Sequence, residues 1–192
     1  YTKVIFRETG EVIESNIKRE RVMSAQTAYL ITDILVGATS SSVKMSGTQI
    51  ATKTGTSSYD ADKLKKLGVK ESIIRDSWVA TYSPDYTLTF WYGYGEGITK
   101  KAVEAKQYNT ISAASRQRLI IQRKLVEGIF EKNSKFSIPK NIVSSKVEFG
   151  TVPAQLPSAH TPSDLIQTYK FINGTEPTEV SSRFSSLSNP TN

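Results

Sequence analysis

Seven consecutive residues, Ala51-Thr52-Lys53-Thr54-Gly55-Thr56-Ser57, place a cation, several hydroxyls and a glycine in an order suited to a ligand laid along a β-strand. Side chains alternate on a strand, so Lys53 and Gly55 point one way while Thr54 and Thr56 point the other. Both pairs touch one ligand only if it lies along the strand's edge, as in β-augmentation, where an extended peptide adds to a sheet through main-chain hydrogen bonds. A glycine in the middle lets the ligand approach closely. Judged by type alone, the same residues also describe a solvated lysine and β-forming threonines on an edge strand.

Other chemistries are poorly represented. His160 is the only histidine, so a Ser-His-Asp triad would have to run through it, and between Ala159 and Thr161-Pro162 it reads as a surface residue. The chain has no cysteine, which excludes disulfides, thiolate metal sites and a cysteine nucleophile. The carboxylates show neither metal-ligand nor paired acid/base spacing, and no cofactor is expected. Asn173-Gly174-Thr175 matches a glycosylation acceptor string but reads better as a tight turn.

The chain's 192 residues suffice for one domain with a sizeable core, and 38% hydrophobic with 22% charged residues is ordinary globular usage. A formal net charge of +7 favours anionic surroundings. The basic residues are dispersed and not interleaved with aromatics, so a nucleic-acid partner is not expected. No apolar run is long enough to span a membrane, and the first residues carry no signal-peptide pattern.

The elements around the seven-residue run follow from local signals. Residues 3 to 13 read as a short β element about the turn Glu8-Thr9-Gly10-Glu11, with a packing role. Ser24 is placed to cap a helix with apolar positions Ala28, Ile31 and Leu35, and Gly37 to end it before a Ser-rich loop at 39 to 46. The run occupies a strand over 48 to 57. A charged excursion over 58 to 75 follows as a cleft rim, with Asp60 capping a short helix ended by Gly68. Strands over 76 to 82 and 86 to 94, joined by Ser83-Pro84-Asp85-Tyr86, complete a three-stranded antiparallel meander. Trp78, Ala80 and Tyr82 share one face of the first of these strands, and Leu88, Phe90 and Tyr92 one face of the second. Ser112 to Lys132 reads as a helix with an inward stripe of Ile121, Leu125 and Ile129, widened by Val126 and Phe130. Gly128 suits close approach to a sheet. The organisation expected is a main unit over 1–138, an irregular β-like appendage over 139–177 and a disordered tail over 178–192.

With the run come Arg21 to Leu35 upstream, Asp76 to Tyr86 and Phe90-Trp91-Tyr92-Gly93-Tyr94 downstream, and Phe171-Ile172-Asn173-Gly174-Thr175-Glu176-Pro177-Thr178 near the end. In this order they resemble the C-terminal part of the transpeptidase domain of class A penicillin-binding proteins, the bifunctional peptidoglycan synthases, over roughly residues 1 to 180. K-T-G is one of three signatures of penicillin-binding transpeptidases and serine β-lactamases. The resemblance implies an α/β (α+β) transpeptidase fold, here its C-terminal portion with three antiparallel strands, packing helices and a small appendage. It implies Lys53 and the backbone N–H of Thr56 as catalytic groups, the latter an oxyanion donor, and Thr54, Gly55, Thr56 and Ser57 as substrate-binding residues. The Thr54 and Thr56 hydroxyls would hold the carboxylate of a D-Ala-D-Ala stem peptide, a lipid-linked precursor or a β-lactam. One departure is that the family pattern has Gly before the Lys, where this chain has Thr52.

The other two signatures, S-x-x-K and S-x-N, locate no nucleophile here. Ser15/Lys18, Ser41/Lys44 and Ser137/Lys140 fit the first string, but 24 Ser and 17 Lys yield about two such strings by chance. The family carries its nucleophile on a helix far upstream of K-T-G, and no S-x-N or Y-x-N occurs. The expectation is a fragment, inactive alone, completed by an upstream part of the same protein that holds the nucleophile, pairs the outer strand and carries an N-terminal anchor to the outer face of the bacterial cytoplasmic membrane. The alternatives are a DD-carboxypeptidase or β-lactamase of the same fold, and a non-catalytic β-lactam-sensing or wall-binding module.

Overall fold

A computed structural model describes residues 3–15, 18, 20–94 and 97–184. The chain opens with a hairpin of β1 (Lys3–Ile5) and β2 (Val12–Glu14), paired Lys3 to Glu14 and Ile5 to Val12, with Gly10 at φ +71° in the connection. The turn is as expected, but the packing role is not. Ile5, Phe6, Val12 and Ile13 are all exposed, so neither face of this ribbon is buried by the described residues.

Helix α1 (Ala25–Ala38) starts where expected, with Ser24 Oγ accepting from the Thr27 N–H at 3.0 Å. Its end differs from the expectation. Gly37 lies inside the helix, and Thr39 terminates it with extended backbone, its hydroxyl 2.8 Å from Leu35 O and 2.7 Å from Ile50 O. A side-chain cap thereby both stops the helix and ties it to the chain entering the next strand. The inward residue is Tyr29, whereas Ile31 is 45% exposed.

The central sheet has the order β3 (Ala51–Ser58), β4 (Ile74–Tyr82), β5 (Thr87–Gly93), antiparallel throughout. Lys53 lies opposite Ala80, Gly55 opposite Trp78 and Ser57 opposite Asp76; Trp78 lies opposite Trp91. The β4–β5 turn is held by Ser83, whose N–H donates to Tyr86 O at 2.9 Å and whose Oγ accepts from the Asp85 and Tyr86 N–H groups. Between β3 and β4, helix α2 (Ala61–Lys66) is capped by Asp60 Oδ1 and followed by Gly68 at φ +73°, as the sequence suggested. Trp78 and Trp91 remain 49% and 40% exposed on the sheet, which leaves an aromatic face uncovered by the described residues.

After the short α3 (Lys100–Glu104), helix α4 (Ile111–Ile129) packs on β4. Its inward line is not the expected apolar stripe. Ala114, Arg118, Gln122 and Val126, spaced by four, are buried, while Ile121 and Ile129 face outward and Gly128 has open space around it. The reason lies in the sheet, which presents the buried hydroxyls of Ser77 and Thr81 to the helix, so polar side chains match it best. Apolar clusters flank this polar layer. One joins Val43, Ile50, Val126 and Phe130, the other Tyr59, Leu64, Ile73 and Ile98.

The last segment is more regular than expected. β6 (Ile142–Glu148) and β7 (Ile166–Ile172) pair antiparallel along their whole length, and Gly174 at φ +89° forms the anticipated turn. Glu148 is fully buried and accepts from Thr161 Oγ1 and Ser181 Oγ. Leu156 exchanges main-chain hydrogen bonds with Glu179 and Ser181, so the tail expected from Thr178 is held through that pairing, and residues 185–192 lie outside the described set. Lys170 Nζ links β7 to α1, donating to Tyr29 Oη at 2.8 Å and to Asp33.

Candidate functional site

Strand β3 is the edge of its sheet, pairing only with β4, so one side of its main chain is unpaired among the described residues. Along that side runs a cavity of about 440 Å³ lined by Leu35 of α1, Thr52, Lys53 and Thr54 of β3, and Arg118 and Gln122 of α4. A larger cavity of about 520 Å³ lies elsewhere, between α1 and the β6–β7 ribbon, mostly apolar and remote from β3. The smaller one is the candidate site, because hydroxyls, an amide and a buried guanidinium converge there on an open sheet edge.

Alternation places Thr52, Thr54 and Thr56 toward α4, and Lys53, Gly55 and Ser57 toward the face of Trp78 and Asp76. Lys53 is exposed, and its ammonium folds back on the Thr54 carbonyl at 2.7 Å. Thr54 is half-buried, and its hydroxyl has no bond to the described residues. Thr56 is exposed, with its Oγ1 3.4 Å from Arg118 Nη1. At Gly55 an added Cβ would meet only Trp78 Cβ, at 3.6 Å, so the fold itself does not demand glycine there.

Ser57 is turned to another task. Its Oγ donates to Asp76 Oδ2 at 2.6 Å, and Trp91 Nε1 donates to Oδ1 of the same carboxylate at 3.0 Å. The Ser57 and Trp91 bonds, with help from the Arg75 charge, hold the Asp76 carboxyl below its ordinary pKa. Lys53 and Thr54 thus line the cavity and Thr56 joins it through Arg118, while Ser57 belongs to a neighbouring polar cluster.

Arg118 and Gln122 were not visible as site residues in the sequence. Arg118 is 7% exposed, and Nη1 donates to Ser77 Oγ at 2.9 Å as well as approaching Thr56. Gln122 is fully buried, with Nε2 donating to Thr81 Oγ1 at 2.7 Å and Thr52 Oγ1 at 3.2 Å. In this layer two buried atoms, Arg118 Nε and Gln122 Oε1, have no partner among the described residues. No carboxylate of the described residues lies within ion-pair distance of Arg118, and desolvation pulls its pKa down without an opposing acid. Unpaired buried polar groups are costly, which marks this layer as poised for a ligand or partner group. The one signal for it in the sequence is the spacing of Arg118 and Gln122, four apart and in line with Ala114 and Val126. Thr52, at the position where the family pattern has Gly, turns its branch to Gln122, away from the face of Lys53.

The remaining candidates fall away on geometry. Ser15, Ser41 and Ser137 all lie outside helices, and His160 is exposed in a turn, its N–H donating to Ser158 Oγ. The described residues contain no cluster of metal-ligating side chains and no helix long and apolar enough to cross a membrane.

A family model described as "Penicillin-binding protein 1A, C-terminal domain" matches residues 138–186. Over 189 residues the chain is 32% identical to penicillin-binding protein 1A/1B of Bacillus subtilis (strain 168), covering 96% of this chain and 20% of that protein. It is 26% identical over 187 residues to penicillin-binding protein 1A of Clostridium tetani (94% and 21% covered) and 28% identical over 190 residues to that of Clostridium novyi (93% and 19%). The chain therefore spans about a fifth of the length of these relatives. Mixed α/β architecture, a K-T-G edge strand and matches across nearly the whole chain agree: it belongs with the class A penicillin-binding proteins, corresponding to a C-terminal part of them.

Proposed function

We propose that this chain forms the substrate-gripping side of a serine DD-transpeptidase in a peptidoglycan synthase, with β3 as the strand against which the stem peptide, or a β-lactam in its place, is laid. The observation that carries this reading is the unpaired β3 edge, with Lys53-Thr54-Gly55-Thr56 above a buried cation that no described acid neutralises. In this reading 1–138 completes the transpeptidase domain, 139–177 is an appendage to it, and 178–192 is a tail. The whole acts at the outer face of the cytoplasmic membrane.

The roles follow from the chemistry of acyl transfer. A serine Oγ supplied by another part of the polypeptide attacks the carbonyl of the penultimate D-Ala. The C–N bond to the terminal D-Ala breaks, and the departing amine takes the proton from serine. The oxyanion formed on attack is held by the Thr56 N–H together with a second donor, a contribution of about 2.7–4 kcal/mol per donor to the transition state. An acceptor amine then displaces the serine from the ester. Lys53 contributes positive charge to the cleft. The Thr54 and Thr56 hydroxyls hold the terminal carboxylate, a hydrogen bond to a charged group being worth about 1.5–3 kcal/mol.

The test is covalent labelling with a fluorescent penicillin, applied to residues 1–192 alone and to the longer polypeptide that contains them. The expected result is an adduct on the longer polypeptide only, mapped to a serine outside residues 1–192. Labelling within the chain would refute the assignment of the nucleophile, and labelling of neither would leave a non-catalytic wall-binding module.

A further inference from the structure

A guanidinium can only donate hydrogen bonds, and that property orders the hydroxyls around it. Arg118 Nη1 reaches Ser77 Oγ at 2.9 Å and Thr56 Oγ1 at 3.4 Å, so both oxygens serve as acceptors toward Arg118. The proton of Thr56 must therefore point elsewhere, and on this exposed residue it is free for a ligand. Thr54 presents a second uncommitted hydroxyl on the same face. Two residues along a strand span about 6.8 Å. A carboxylate accepting one bond of about 2.7 Å at each oxygen can bridge that distance.

Packing alone does not account for an arginine here. The α4 positions one turn away on either side along the same buried line are Ala114 and Gln122, the apolar clusters lie beyond, and an aliphatic chain would fill the gap without burying a charge. Instead Arg118 is more than nine-tenths buried, keeps Nε unpartnered, lines the cavity at the β3 edge and meets no described acid. Lys53 cannot substitute for it, because alternation sends that side chain to the opposite face of β3.

We propose that Arg118 is a positioning residue of the β3 edge: by donating to Thr56 Oγ1 it commits that hydroxyl's own proton to a carboxylate lying along the edge, and its uncompensated charge sits behind that carboxylate. This rests on the transpeptidase reading above and adds a selectivity element to it from helix α4.

The test uses the longer polypeptide that contains this chain and two probes, benzylpenicillin and its methyl ester, in which the carboxylate is neutralised. The readout is the second-order rate constant of acylation. Arg118→Met is expected to slow benzylpenicillin at least about tenfold and the ester less than about twofold, so the preference for the carboxylate collapses. In a Thr56→Val background the same change should cost severalfold less, because the hydroxyl that Arg118 orients is gone and only the effect of its charge remains. Should Arg118→Met fail to fold, Arg118→Lys carries the comparison. Its single ammonium cannot keep the fork geometry, so the carboxylate preference should fall severalfold with Thr56 present and stay unchanged with Thr56→Val. Equal slowing of both probes, or the same loss in both backgrounds, would overturn the proposal and make Arg118 a packing residue. If the unaltered protein is acylated by neither probe, the transpeptidase reading itself fails and takes this inference with it.

Discussion

The buried carboxylate of Glu148 offers a sharp test of how the C-terminal segment is held. It has no exposed surface, and it accepts from Thr161 Oγ1 at 2.6 Å and Ser181 Oγ at 2.9 Å, with Arg183 Nη1 at 3.3 Å. Glu148→Gln keeps the shape but leaves only one accepting oxygen. That oxygen must face Arg183, which has only protons to offer, so the new amide nitrogen faces Thr161. Thr161 Oγ1 already accepts from the Ser158 N–H at 2.9 Å, and its own proton can turn to Ser158 Oγ at 3.1 Å. The bonds persist in number but lose charge. Hydrogen bonds to charged groups contribute about 1.5–3 kcal/mol and neutral ones about 0.5–1.5, so the change costs about 1 kcal/mol per bond, or about 2–3 kcal/mol in all. The share of Arg183 is the smallest, since its side chain is 48% exposed. The cost falls on the pairing of Leu156 with Glu179 and Ser181. Hydrogen exchange at the Leu156 and Ser181 amides should therefore quicken about 30- to 150-fold, with the β4 amides of Val79 and Thr81 within about twofold of their original rates. Unchanged exchange at Leu156 and Ser181 would refute the argument that Glu148 holds the segment. Equal acceleration in β4 would refute its independence from the central sheet.

Other consequences are as direct. Thr54→Val and Thr56→Val each remove a hydroxyl but keep the main-chain N–H, so acylation by benzylpenicillin should slow about 10- to 150-fold. Neither side chain is buried, so the thermal midpoint should move by no more than about 4 °C. Gly55→Ala meets only Trp78 Cβ at 3.6 Å, so stability should change by less than about 1 kcal/mol in urea unfolding. The same variant should lose acylation about tenfold or more, since a methyl group would stand where the ligand approaches; normal acylation would place the ligand elsewhere. The Asp76 carboxyl is held ionised by Ser57 and Trp91, so its folded pKa lies below the unfolded value near 3.8. Its contribution to stability is complete above the unfolded pKa and is lost as pH falls through the folded pKa. Trp91 fluorescence should show a transition below pH 3.8 that Asp76→Asn abolishes.

Much of the local structure was legible because its causes are local. Ser24, Asp60 and Ser83 each satisfy main-chain N–H groups within three residues of themselves, and Gly68 and Gly174 accept positive φ. The errors share a different origin. By local rules Gly37 ends the helix, but Thr39 does so through a bond to Ile50, on a segment that local reasoning cannot place beside it. Hydropathy alone turns the stripe Ile121, Leu125, Ile129 inward, although the sheet beneath α4 presents hydroxyls. The β6–β7 pairing was missed because its strands are separated by seventeen residues, and periodicity in each says nothing of the partner.

By itself, the sequence determined the order of elements, the meander, and the presence of Lys53, Thr54, Gly55 and Thr56 on alternating faces of one strand, since these depend on a two-residue repeat and on turn chemistry. Only the tertiary structure decided that Ser57 is spent on Asp76 and that Arg118 and Gln122 stand beneath the threonines. Those facts depend on which buried hydroxyls face which helix. That match is between surfaces separated by 41 residues, Ser77 with Arg118 and Thr81 with Gln122, and it exists only once the helix has packed on the sheet.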